Sequence, residues 1–128
     1  MIGSINAFYG VFDGDGSTYG FHPAAGSGDI EQRFVNYIQS NGKIVHSVAF
    51  ANGTDYVGFL DIGVPVGGLF AGAVLQDKCY HLKCDDINNI NWDVLTFNAK
   101  VCLCLMPGEE EEETDGIRRS RMCLDGIP

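Results

Sequence analysis

Cys79, His81 and Cys84 stand close together in the chain, with Asp85 and Asp86 directly after them. Thiol, imidazole and carboxylate are the groups that make an activated nucleophile or hold zinc. Two chemistries follow from this cluster. In the first, a Cys79 or Cys84 thiolate paired with His46 or His22 attacks a carbonyl, and Asp61 or Asn98 orients the imidazole. The chain is then a cysteine-dependent hydrolase. In the second, Cys79, His81 and Cys84 bind zinc, a fourth ligand comes from Cys102, Cys104 or Cys123, and the metal stabilises a small domain. Against both, C-x-H-x-x-C is not a standard finger or ribbon spacing. Three histidines and five cysteines also allow many chance pairs. Free cysteine more commonly fills a core. The leading expectation is therefore no catalytic group, no metal and no cofactor.

Two glycine-rich segments resemble ligand loops in part. Asp13-Gly14-Asp15-Gly16-Ser17 has oxygen ligands at alternate positions, as a calcium loop does. Thr18 stands where such a loop needs glycine, and Ala24 where it needs a carboxylate, so a hairpin turn is expected instead. Gly63-Val64-Pro65-Val66-Gly67-Gly68 lacks the lysine of a phosphate loop. Tyr19 and Trp92 sit among polar neighbours and are candidates to stack on a ligand or partner. Arg118, Arg119 and Arg121 are candidates to grip a phosphate or carboxylate through their guanidinium forks.

The charge distribution narrows the partners. Residues 1–106 carry ten acids and five bases, and residues 107–128 carry seven and three. A net negative body is unsuited to neutralising nucleic-acid phosphates. The N-terminal residues have neither a basic region nor a long apolar run, and no stretch is long enough to span a membrane. These features predict a cytoplasmic protein that meets no membrane, with its cysteines mostly reduced.

The elements that position these groups are read from periodicity. Ile30, Phe34, Val35 and Ile38 form one apolar stripe, Asp29 is a good N-cap and Asn41-Gly42 a good exit, so a helix is expected at 30–40. Asn6–Phe12 and Thr18–Phe21 read as a hairpin about the Asp13–Ser17 turn. Residues 44–51 and 55–61 read as a second hairpin about Asn52-Gly53. Residues 64–75, 79–83 and 93–106 read as further strands, the last with Phe97, Ala99, Val101, Leu103 and Leu105 on one face. The expected fold is α+β: a mainly antiparallel sheet of about seven strands, flat or curled into a half-barrel, with one helix. Its body is residues 1–106. Glu109–Glu113 and the arginines make residues 107–128 a charged arm that can return as an edge strand. Two-sided apolarity in the strands favours a homo-oligomer. With no catalytic signature dominant, the expected function is a non-enzymatic binding or inhibitor-type module for a protein partner or small anionic ligand.

Overall fold

The structure is a computed structural model that describes residues 2–51, 53–73 and 75–105, together with the backbone of Glu111–Thr114 and Ile117–Ser120. Its central strand is β1, Tyr9–Phe12. On one side β1 pairs in parallel with β2, Val45–Val48, with Tyr9 opposite Val45 and Phe12 opposite Val48. On the other it pairs antiparallel with the short β3, Leu69–Phe70. The sheet order is β2-β1-β3. A parallel pair cannot be closed by a tight turn and needs a long crossover. Helix α1, Ser27–Ser40, supplies it.

Helix α1 begins three residues before the expected start. Gly26 is its N-cap, in the left-handed region at φ 97°, and Asp29 falls in the first turn. A carboxylate there complements the positive end of the helix dipole. At the other end Lys43 N–H donates to Ile38 O at 3.2 Å and Gly42 N–H to Gln39 O at 2.9 Å. With Gly42 at φ 70°, these bonds form a Schellman stop.

Strand alternation gives the sheet two different faces. Val11, fully buried, meets Ile38 of α1 and Val101 of a third helix, α3 (Trp92–Leu105), with Tyr9, Phe34, Phe97 and Leu105 packed around them. On the opposite face Phe12 stacks on Phe50 at 5.1 Å and meets Tyr56 edge-on at 5.1 Å. Between β2 and β3 lies a single-turn helix, α2, Val57–Leu60. No helix among the described residues is long and apolar enough to cross a membrane.

This architecture overturns the expected antiparallel sheet of about seven strands with one helix. Among the described residues the body sheet is three-stranded and mixed, and three α-helices accompany it. Each misreading has a local cause. Residues 18–21 do not form a return strand, because the buried Asp13 carboxylate takes the N–H groups of Thr18 and Tyr19. Residues 55–61 do not pair back on β2. The Tyr56 hydroxyl instead accepts from Ala51 N–H at 2.7 Å and donates to Ala51 O at 2.6 Å. Residues 79–83 are turns. The segment expected as a strand at 93–106 is helical over Trp92–Leu105, with Val94, Asn98, Val101 and Cys104 buried at helical spacing. Strands β4 (Glu111–Thr114) and β5 (Ile117–Ser120) pair with each other, antiparallel, with Glu112 opposite Arg119 and Glu113 opposite Arg118 in register.

One buried polar bond ties the loop before β3 to the start of α1. Ser27 Oγ accepts from Val66 N–H at 3.0 Å, and both residues are buried. Ser27→Ala leaves that N–H without its partner, which costs about 1–3 kcal/mol. The expected result is a lower urea midpoint with an unchanged slope; an unchanged midpoint would show that Val66 N–H finds another acceptor.

Candidate active site

Past β3 the chain runs back toward the N-terminal end of β1, where Asn6 Nδ2 donates to Gln76 O at 3.0 Å. Here it makes consecutive turns. Asp77 N–H donates to Ala73 O at 2.8 Å, Leu82 N–H to Cys79 O at 2.8 Å, and Asp85 N–H to Leu82 O at 3.0 Å. Cys79–Leu82 is thus a four-residue turn with Tyr80 and His81 at its centre. A disulfide between Cys79 and Cys84 closes a ring across both of the last two turns.

His81 is the conformational outlier. It has φ 58°, and no other non-glycine among the described residues has positive φ. Positive φ at the third turn position ordinarily selects glycine or asparagine. The imidazole is exposed and lies flat on the half-buried Tyr80 ring, with centroids 4.0 Å apart and planes 14° apart. A non-glycine residue held in this region costs about 1–3 kcal/mol, and such outliers cluster at functional sites.

A second group of ionisable side chains sits at the other end of β1. Oxygens of Asp13, Asp15 and Glu31 lie within 4.8 Å of one another. Carboxylate oxygens are the donors that a hard cation takes. Much of this set is already engaged in shaping the loop. Asp13 is buried and accepts from Tyr19 N–H at 2.8 Å, while Glu31 accepts from Asp15 N–H at 3.0 Å. Hydrogen bonds from Ser17 lower the Asp15 pKa. Partial burial raises that of Glu31, and the charges of Asp15 and Asp13 add to the rise. The loop needs its glycines here. A Cβ on Gly16, at φ 71°, would sit 2.6 Å from Phe21 O, and one on Gly14 would run into the Ser27 carbonyl.

Comparison with known proteins decides the family. A model of peptidase family M28 matches residues 11–106, a span that includes both groups. The chain belongs to peptidase family M28. It is 35% identical over 116 residues to an aminopeptidase of Pseudomonas aeruginosa, an alignment covering 77% of this chain and 22% of that protein. It is 36% identical over 117 residues to leucine aminopeptidase 2 of Trichophyton rubrum and of Arthroderma otae, covering 78% of this chain and 24% of each. The M28 chain therefore spans about a quarter or less of the length of the curated relatives it matches.

Membership of a peptidase family overturns the expected non-enzymatic binding or inhibitor-type module. Both alternatives fail for a different reason. Cys79 and Cys84 are joined, so neither offers a thiolate to attack a carbonyl or to ligate zinc. Cys104 is disulfide-bonded as well. Cys102 is the free cysteine among the described residues, and burial pushes its thiol pKa up, away from reactivity. Of Cys79, His81 and Cys84 only His81 keeps a free donor atom, and Cys123, offered as a fourth ligand, lies outside the described residues.

The other sequence candidates are scattered. His46 lies on the edge strand β2 with its ring edge-on to Phe8 at 5.5 Å. His22 and Asp61 do share an open groove of about 420 Å³ between Phe21 and α2, but no thiol accompanies them. Tyr19 is exposed, and its hydroxyl donates to Ser47 O at 3.2 Å. Trp92 is exposed at the start of α3. Arg118 and Arg119 belong to β5, and Arg121 lies outside the described residues. Sequence reasoning missed Asp77, which accepts from Cys79 N–H at 2.9 Å. The signal was present, since an Asp two residues before a turn position commonly caps it.

The strain at His81 is testable in the M28 chain without any assay of activity. His81→Gly places at φ 58° the residue suited to it, so the thermal midpoint should hold or rise, relief of about 1 kcal/mol being offset in part by glycine's freedom when unfolded. His81→Val should lower stability by about 1–3 kcal/mol. Equal destabilisation by both would refute a strained His81.

Proposed function

We propose that this chain serves aminopeptidase chemistry, the hydrolysis of a peptide bond next to a free N-terminus, with His81 at the reacting centre. The observation that carries the reading is a family match whose span includes a histidine held exposed in a glycine-type conformation. Peptide hydrolysis needs a group that moves a proton between water, the tetrahedral intermediate and the leaving amine. A neutral imidazole carries one nitrogen that donates and one that accepts a proton, which suits that task. Tyr80 beneath the ring holds its plane, and the exposed Leu82 next to it offers apolar surface to a substrate side chain. The net negative charge of −9 favours approach of a cationic N-terminus. The names of the relatives, aminopeptidase and leucine aminopeptidase 2, support the same substrate end.

The test is release of leucine from leucinamide and from N-acetyl-leucinamide by the purified protein. Hydrolysis of the first and not the second is expected, with kcat for His81→Ala reduced on the order of 100-fold or more. Absence of turnover in the parent protein, or equal rates on both substrates, would overturn the reading.

The disulfide also bears on location. Such bonds persist in oxidising compartments and are rare in the cytosol of ordinary organisms. The Cys79–Cys84 bond therefore supports an oxidising site of action, in place of the cytoplasm inferred from the N-terminal residues. Alkylation of protein taken unreduced from its natural source should spare both cysteines; labelling of either would count against this placement.

A further inference from the structure

The ring that carries His81 is anchored on both sides by one polar cluster. On its N-terminal side Asp77 is 4% exposed. Its carboxylate accepts from Cys79 N–H at 2.9 Å, and its carbonyl from Tyr80 N–H at 3.2 Å. On the C-terminal side Asp85 directly follows Cys84. Between the two stands Asn89, the last residue of a single 3-10 turn, Ile87–Asn89. Its Nδ2 donates to both Asp77 oxygens at 2.9 Å and reaches Asp85 Oδ1 at 3.3 Å.

This arrangement is specific in its chemistry. Two carboxylates brought together repel unless a donor lies between them, and a neutral side-chain amide serves both. A carboxylate binding to backbone and amide N–H groups makes stronger bonds than a neutral acceptor would. The disulfide closes the ring but leaves its internal torsions free to redistribute. The bonds to Cys79 N–H and Tyr80 N–H act on those torsions, because they set the two residues that lead into His81.

We infer that Asp77 and Asn89 are positioning residues, a polar latch that holds the Cys79–Cys84 ring in the one form that presents the His81 imidazole at positive φ. The latch touches no substrate and acts through the turn. Its catalytic meaning rests on the aminopeptidase reading above, whereas its conformational meaning does not.

The test uses Asp77→Asn and Asn89→Ala. Asn at 77 keeps an oxygen for Cys79 N–H but turns a donor toward the Asn89 amide. Asn89→Ala removes the bridge at a half-buried site and leaves Asp77 in place. The first readout is the intraresidue amide-to-Hα cross-relaxation of His81, which is strong at positive φ and weak in extended backbone. The second is the split between kcat and KM on leucinamide. Both variants should weaken the His81 signal in protein that remains folded by circular dichroism. They should lower kcat on the order of 10- to 100-fold with KM within about twofold, as misplacement of a reacting group does. A His81 signal as strong as in the parent protein in both variants overturns the latch, whatever the activity. If the parent protein lacks turnover, the aminopeptidase reading falls, and the cross-relaxation alone decides the latch.

Discussion

The parallel pairing of β1 with β2 is the constraint on which the rest depends. Antiparallel neighbours can be joined by two residues, but parallel neighbours require the chain to travel back the full length of the sheet. That return is α1, whose Ile38 meets Val11 of β1 and Val101 of α3 in the centre of the core. The pairing also sorts the candidate groups. Asp13 directly follows β1 at its C-terminal end, and β3, running the other way, delivers the His81 turn to the N-terminal end. The two acid-rich clusters thus lie at opposite ends of one strand and serve different turns.

At the His81 turn, magnitudes explain why several restraints converge. A ring closed between residues five apart is worth about 2 kcal/mol in the chain-entropy account. A non-glycine residue at positive φ costs about 1–3 kcal/mol. The two are of the same order, so the disulfide by itself gives no safe margin. Hydrogen bonds to a charged group add about 1.5–3 kcal/mol each. With Asp77 and Asn89 in place, the strained form is well favoured over a relaxed ring.

Legibility in the sequence followed locality. The helix at 27–40 was readable because its signals are adjacent: Ile30, Phe34, Val35 and Ile38 at helical spacing, and Asn41-Gly42 at the exit. Residues 93–106 read as a strand because a segment that is apolar at most positions satisfies period two and period 3.6 together. Its length was the better guide, since strands average about five or six residues. Asn52-Gly53 carried a strong hairpin signal that the Tyr56 hydroxyl defeats by bonding both polar groups of Ala51. C-x-H-x-x-C drew attention to a segment that the structure closes into a ring, but spacing alone does not separate two free thiols from a disulfide.

By itself the sequence determined where one helix lies and that the chain is acidic, because these are properties of neighbouring residues. It also determined the family, through identity spread over most of the chain. Only the tertiary structure decided that β1 and β2 run parallel, that Cys79 bonds Cys84, that His81 stands at φ 58°, and that Asp77 is buried. Strand direction depends on a crossover of some thirty residues, and the His81 torsion on Asn89, which comes from outside the ring. Interactions at such separation leave no period or spacing in the sequence, so they become visible only when the chain is folded.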